Sequence, residues 1–141
     1  MLPPEELLSA AMYARNQAYA PYSGFKVGVS LKGVSGKVFS GCNVENASYG
    51  LTICAERATV CSAVAAGVKT FNQMVIVADS ESPCPPCGAC RQFLFEFAPN
   101  LEIWITNLSG AVVYHRLQDL LPHAFGNTLL PGTKPHASES A

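Results

Sequence analysis

Near the start of the chain, the apolar positions recur at helical spacing. They are Leu7, Leu8, Ala11, Met12, Ala14 and Ala18. Pro3-Pro4-Glu5-Glu6 precedes them, with a rigid entry and the acidic residues that a first helical turn favours. Pro21 cannot continue a helix. The pattern predicts an amphipathic helix over residues 4–20.

Two β-rich segments follow, and then an alanine-rich one. Residues 25–32 and 37–42 flank turn-forming residues and predict an antiparallel hairpin. Residues 41–50 are polar and predict a loop. The alanine-rich residues 54–66, closed by Gly67, predict a second helix.

The next apolar run, residues 73–78, is nearly continuous, which is typical of a strand buried on both faces. After a loop over 79–86, Phe93, Leu94 and Phe97 share one side of a predicted helix over 88–97. The remaining elements are two strands at 101–106 and 111–115, joined as a second hairpin, and a helical turn at 117–121.

This order of elements predicts an α/β fold with one five-stranded mixed sheet and helices on both faces, in three α-β-α layers. We expect one domain over residues 1–130 and disorder over 131–141, which carry no core-forming residues. No apolar run approaches the roughly 20 residues of a membrane span, and the N-terminus lacks the features of a secretory signal. We therefore expect a cytoplasmic protein.

The composition is apolar for a chain of 141 residues, with 49% hydrophobic and 13% charged residues. A small protein normally exposes more charge, so we expect other subunits to cover part of this surface. Lysines and arginines are scattered singly and the net charge is −1. This pattern disfavours a nucleic-acid partner, which needs a basic track.

Six cysteines stand out, three of them in Cys84-Pro-Pro-Cys87-Gly-Ala-Cys90. Such crowding in an intracellular chain indicates a metal site or redox chemistry. Cys54 starts one predicted helix and Cys87 another, with Cys90 on the same helical face as Cys87. Unpaired N–H groups at helix starts lower thiol pKa values. Three thiolates would leave one tetrahedral position for water, as in a catalytic zinc site.

Glu56 and Arg57 directly follow the isolated cysteine of this set. Zinc lowers the pKa of a bound water to about 7. The Glu56 carboxylate can take a proton from that water and return it to a substrate. Arg57, three residues after Cys54, can offset part of the negative charge of three thiolates.

Cys54-Ala-Glu followed by Pro86-Cys-x-x-Cys resembles the signature of zinc nucleobase deaminases in its three-cysteine form. Residues 7–130 as a whole resemble the small homotetrameric cytidine deaminases. The matching segments are Tyr22-Ser-Gly-Phe-Lys-Val-Gly, Gly41-Cys-Asn-Val-Glu-Asn-Ala-Ser, Thr52-Ile-Cys-Ala-Glu-Arg, Cys87-Gly-Ala-Cys-Arg-Gln and Leu120-Leu-Pro-His-Ala-Phe.

The resemblance implies one Zn²⁺ per chain, held by Cys54, Cys87 and Cys90. It also implies hydrolysis of cytidine and 2′-deoxycytidine to uridine and 2′-deoxyuridine, with ammonia released, in pyrimidine salvage. Zinc-bound hydroxide would attack C4 while Glu56 protonates N3 and then the leaving amino group.

The resemblance further implies a set of residues that contact the nucleoside. Asn43 and Glu45 would hold the ribose hydroxyls, Phe25 would pack on the base, and the Ala55 backbone would touch the pyrimidine edge. Two more aromatic residues would reach into a neighbouring subunit's site, and Arg57 would hydrogen-bond the ligand thiolates. The two aromatic residues are Tyr49 and Phe125.

Plainer interpretations and other functions compete with these. Asn43 could be only a turn former, Glu45 a solvated acid, and Phe25 and Phe125 core or interface aromatics. Cys84 is an extra thiol that flanking prolines keep off the helix, and we do not expect it to bind the metal.

The substrate could instead be another aminopyrimidine nucleoside, such as a cytosine-containing antibiotic. A structural zinc module would need a fourth ligand. A thiol–disulfide oxidoreductase using Cys84 and Cys87 lacks its βαβ context. Editing of polynucleotides lacks a basic track.

Overall fold

The computed structural model describes residues 1–132, which form four α-helices around one five-stranded sheet. The helices are α1 (Glu5–Asn16), α2 (Ala55–Ala65), α3 (Gly88–Phe95) and α4 (Leu117–Leu120). The strands are β1 (Val27–Gly33), β2 (Val38–Cys42), β3 (Phe71–Ala78), β4 (Glu102–Asn107) and β5 (Val112–Arg116). Short 3-10 helices lie at Tyr49–Leu51 and Asn127–Leu129.

The sheet has the strand order β2-β1-β3-β4-β5. β3 and β4 are parallel, and every other neighbouring pair in this order is antiparallel. The α/β class and the single five-stranded mixed sheet predicted from the sequence are confirmed. The nearly continuous apolar run forms β3, the central strand, where both faces are covered.

One face of the sheet is covered by α1. Leu7 and Ala11 are fully buried there against Val75, Val77 and Trp104. The helix approaches β1 very closely, since a Cβ at Gly28 would lie 2.0 Å from the carbonyl oxygen of Ala11. Only glycine permits this contact.

The other face is covered by α2, α3 and α4. Their fully buried contributions include Val60, Leu94 and Leu117, which pack with Leu31 of β1 and Ile103 of β4. Helices therefore cover both faces in three layers, as predicted. The N-termini of α2 and α3 are the parts of this layer that form the site described below.

The predicted first helix is too long at its C-terminal end, because α1 ends at Asn16 and not at residue 20. After Gln17 the chain extends and pairs with the loop after β2. Tyr19 N–H donates to the Asn43 carbonyl at 3.0 Å, and Glu45 N–H donates to the Tyr19 carbonyl at 2.8 Å. These long-range bonds replace the last helical turn, and no local pattern announces them.

Some smaller boundaries also differ. β1 begins at Val27, two residues later than predicted, and β3 begins two residues earlier, at Phe71. Of the tail predicted to be disordered, residues 133–141 lie outside the described part of the chain. Within residues 1–132, no helix combines the length and the apolar character that crossing a bilayer requires.

Candidate active site

Three cysteine sulfurs meet where α2 and α3 begin. Cys54 is the N-cap residue of α2, and Cys87 is the N-cap residue of α3. With Cys90 in the first turn of α3, their Sγ atoms all lie within 4.8 Å of one another. Cys54 is half-buried, Cys87 exposed and Cys90 buried. Three sulfurs at this separation suit a tetrahedral zinc ion with one position left open.

The two cysteines of α3 differ in their electrostatics. Partial burial would raise the pKa of Cys87, but hydrogen bonds with the Cys90 backbone and with the neighbouring thiols bring it below its ordinary value. This agrees with the expectation for a helix start. For Cys90 the expectation is wrong, because burial and the nearby Glu56 charge raise the pKa of its thiol. A bound divalent cation reverses this balance and keeps such thiols deprotonated.

Glu56 lies beside the sulfurs, in the first turn of α2, and only 6% of its surface is exposed. Burial raises the pKa of its carboxyl above the usual range, although a hydrogen bond with Cys90 and the charge of Arg57 act in the opposite direction. A buried carboxyl beside a metal position can accept and return a proton near neutral pH.

Arg57 contacts the first sulfur directly. Its Nη2 donates to Cys54 Sγ at 3.6 Å and to the Thr52 carbonyl at 3.3 Å. The Cys54 thiol, as hydrogen-bond partner, holds the pKa of the guanidinium above its ordinary value. The structure therefore places Arg57 in contact with one of the three sulfurs, that of Cys54.

A cavity of about 200 Å³ opens in front of the sulfurs. It is lined by six residues predicted from the sequence to bind the metal or to act on the nucleoside, and by Cys84, which was not expected to bind the metal. The six are Phe25, Asn43, Cys54, Ala55, Glu56 and Cys87. The remaining walls are Val27, Thr52, Ile76 and Pro85.

Asn43 joins this cavity to the edge of the sheet. Its Oδ1 accepts from Val27 N–H at 2.9 Å, and its Nδ2 donates to the Phe25 carbonyl at 2.8 Å. An amide has two acceptor lone pairs and two N–H donors. One of each is not used by these two bonds, which hold the chain at the start of β1.

Glu45 lines an adjoining cavity of about 290 Å³ with Tyr22, Ser23 and Tyr49. Thr52 lines both cavities, so the two are neighbours. Glu45 Oε1 accepts from the backbone N–H groups of Tyr22 and Ser23 at 3.0 and 3.1 Å. The Ser23 hydroxyl, with these backbone bonds, holds the pKa of the carboxyl below its ordinary value despite some desolvation.

Phe125 lines neither of these two cavities, and the resemblance places it in a neighbouring subunit's site. Its side chain is 57% exposed, and only its carbonyl is held, by Gln92 Nε2 at 2.9 Å. Tyr49 is 75% exposed at the rim of the adjoining cavity. Both aromatics are thus available to another molecule.

Sequence reasoning missed Thr52 and Ser23. Thr52 lies two residues before the Cys-Ala-Glu motif, and Ser23 lies two residues after Pro21. Neither has a charge or a metal-binding group to single it out. Cys84 stays outside the three-sulfur cluster, and its thiol pKa is raised by burial and by the charges of Glu56 and Cys87.

Comparison with known proteins places the chain in a family. The sequence model for the "Cytidine and deoxycytidylate deaminase zinc-binding region" matches residues 2–105. A cytidine deaminase of Sporosarcina psychrophila is 44% identical over 86% of this chain and 90% of its own length. A probable cytidine deaminase of Dictyostelium discoideum is 48% identical over 86% of this chain and 82% of its own length.

Solved structures agree. The crystal structure of cytidine deaminase from Burkholderia pseudomallei is 50% identical, with a TM-score of 0.84, and the likeness covers 88% of this chain and 100% of that one. The crystal structure of cytidine deaminase from Mycobacterium tuberculosis is 43% identical, with a TM-score of 0.75. The likeness covers 86% of this chain and 95% of that one. With its three-sulfur cluster for zinc, this chain belongs to the cytidine deaminase family of zinc enzymes.

Proposed function

We propose that this protein hydrolyses cytidine and 2′-deoxycytidine to uridine and 2′-deoxyuridine, releasing ammonia, and that it serves pyrimidine salvage. The observation that carries the proposal is the cavity itself. A buried carboxylate, Glu56, and the sulfurs of Cys54 and Cys87 form one wall, and Asn43 and Phe25 line the same space. Proton transfer, metal binding and nucleoside contact can therefore act on one small molecule.

Cys54, Cys87 and Cys90 are the proposed zinc ligands. Zinc bound there supplies the Lewis acidity that makes water a nucleophile at neutral pH. Arg57 donates to Cys54 Sγ and so stabilises the negative charge of the ligand set. Glu56 takes up one proton of the attacking water and delivers it to ring N3. It then takes the second proton of that water from the new C4 hydroxyl and delivers it to the amino group, which leaves as ammonia while the C4 carbonyl forms.

The remaining side chains orient the nucleoside. The free N–H and lone pair of Asn43 suit a ribose hydroxyl, and Glu45, fixed by Tyr22 and Ser23, offers a second acceptor. Phe25 is 36% exposed and presents an aromatic face to the base. The buried Ala55 backbone touches the pyrimidine edge.

The direct test is ammonia release from cytidine by purified protein, with zinc measured in the same sample. Glu56→Gln is expected to retain zinc and to lose about 10²–10⁴-fold or more in kcat. Glu81→Gln, an exposed loop carboxylate, is the matched control. Full activity in Glu56→Gln would refute the assigned proton transfer.

A panel of aminopyrimidine nucleosides, including cytosine-containing antibiotics, checks the substrate. Faster turnover of one of these than of cytidine would overturn the substrate assignment while leaving the zinc chemistry intact.

We further propose a homotetramer whose sites are shared between subunits. The support is the exposure of large side chains, among them both aromatic residues that the resemblance places in a neighbouring subunit's site. Tyr49, Leu51 and Phe125 are 75%, 64% and 57% exposed. Each is too large and apolar to be left in water at no cost in free energy.

Subunit complementation tests the sharing. If Phe125 completes a neighbour's site, Glu56→Ala and Phe125→Ala produced together form mixed assemblies in which some sites have both groups. Activity above the sum of the two separate variants supports the proposal. Simple additivity, or a mass of one 15.0 kDa chain in solution, contradicts it.

A cytoplasmic location is also proposed. Zinc binding by cysteine requires reduced thiols, which the cytosol maintains. Fractionation with a fluorescent fusion checks it, and recovery in an oxidising compartment would be the opposite result.

A further inference from the structure

Arg91 lies one residue beyond Cys90 and makes two side-chain bonds to backbone carbonyls. Its Nε donates to the Pro86 carbonyl at 2.8 Å, and its Nη1 donates to the Leu120 carbonyl at 2.9 Å. The two acceptors are 34 positions apart in the numbering. Arg91 thus joins the loop before α3 to the end of α4.

The first bond acts on the peptide unit that enters Cys87. The Pro86 carbonyl and the Cys87 N–H belong to one rigid plane, so holding that carbonyl restricts how Cys87 can rotate. The Arg91 backbone N–H also binds the Cys87 carbonyl at 3.0 Å. The peptide groups on both sides of Cys87 are therefore held by one residue, which sets the direction of the Cα–Cβ bond that carries Sγ.

The second bond acts on the segment that carries Phe125. Leu120 ends α4, and the chain then turns through His123, which has a φ of 53°. The neighbouring Gln92 binds the Phe125 carbonyl. Two consecutive side chains of α3 therefore hold the two ends of residues 120–125.

We propose that Arg91 is a positioning residue that couples the direction of the Cys87 sulfur to the placement of residues 120–125. Its planar guanidinium can donate to two carbonyls in fixed directions, which a lysine ammonium cannot do in the same geometry. The inference rests on the zinc site of the proposed function but not on the identity of the nucleoside.

The test is Arg91→Lys, with Arg116→Lys as the matched control, because Arg116 is exposed at the end of β5. Groups that orient metal ligands typically change metal affinity by about 10–100-fold when they are altered. We expect that loss of zinc affinity in Arg91→Lys, measured by competition with a chelator, and none in Arg116→Lys. The thiolate-to-metal absorption of the Co²⁺-substituted protein should also shift, which a general loss of stability would not cause.

Folded Arg91→Lys with parental zinc affinity and a parental Co²⁺ spectrum would overturn the proposal. If that variant does not fold, hydrogen exchange of the unaltered protein, with and without zinc, tests the coupling instead. Removing zinc should then speed exchange in residues 117–125 as well as in 84–90, and unchanged exchange in 117–125 would contradict the coupling. None of these readouts depends on nucleoside turnover, so failure here and failure of the proposed function are distinguishable.

Discussion

The side-chain amide of Asn43 donates to the carbonyl oxygen of Phe25 at 2.8 Å. Two residues that line one cavity are therefore bonded to each other, and the loop after β2 sets where the chain enters β1. Stability and ligand binding are linked at this position, since the same amide also accepts from Val27 N–H.

Asn43→Ala removes both of these bonds. Each is worth about 0.5–1.5 kcal/mol, so we expect the free energy of unfolding to fall by about 1–3 kcal/mol. KM for cytidine should rise as well. Asn46→Ala is the control, because Asn46 is exposed in the same loop and accepts only from Ser48 N–H. Urea unfolding and steady-state kinetics measure the two effects, and equal behaviour of the variants would contradict the assigned role.

Gly28→Ala tests the contact between α1 and β1. The added Cβ would meet the Ala11 carbonyl oxygen at 2.0 Å and Arg15 N at 2.5 Å, both backbone atoms that cannot yield locally. We expect a loss of several kcal/mol, or failure to fold, as for severe overpacking. Gly50→Ala should be nearly neutral, because an added Cβ there meets nothing within 4 Å. Thermal unfolding of the two variants is the measurement, and similar midpoints would be the unexpected result.

Removal of zinc should destabilise the fold, because the ion joins the starts of α2 and α3 and binds only the folded state. A strong chelator is expected to lower the thermal midpoint of the parent. Cys61→Ser, which alters an exposed cysteine of α2, should respond like the parent. Cys90→Ser should bind zinc poorly, so the chelator should change its thermal midpoint little. Metal analysis and calorimetry check this, and a midpoint insensitive to the chelator would argue against a joining role.

Acid should lower the stability that the Glu45 carboxylate contributes to the fold. Its pKa is lowered in the folded state from the ordinary 4.5, mainly by the Ser23 hydroxyl. Its stabilising contribution is therefore complete above pH 4.5 and is lost as the pH falls through the lower folded value. Glu45→Gln should show a shallower loss of stability below pH 4.5 than the parent, by urea unfolding at a series of pH values. Parallel curves would contradict the lowered pKa, and Glu81→Gln serves as the control.

The amino-acid sequence predicts the element order that the structure shows, and it predicts the three cysteines whose sulfurs meet. Periodicity predicted the helices, and the apolar run of β3 marked the buried central strand. Cys54, Cys87 and Cys90, with Glu56 beside them, were predicted from their places at helix starts and from the resemblance to zinc deaminases. Helical spacing, capping and a short motif such as Cys87-Gly-Ala-Cys90 act within a few residues. Short-range preferences are therefore sufficient to predict them.

Contacts between residues far apart in the chain are visible only in the tertiary structure. It ended α1 at Asn16, since Tyr19 pairs with the loop after β2. It also brought Thr52 and Cys84 to the cavity, left the Phe125 side chain exposed, and joined Pro86 to Leu120 through Arg91. Such bonds form between groups that meet only after the sheet and its helices have packed. The conformational preferences of each short segment do not predict them.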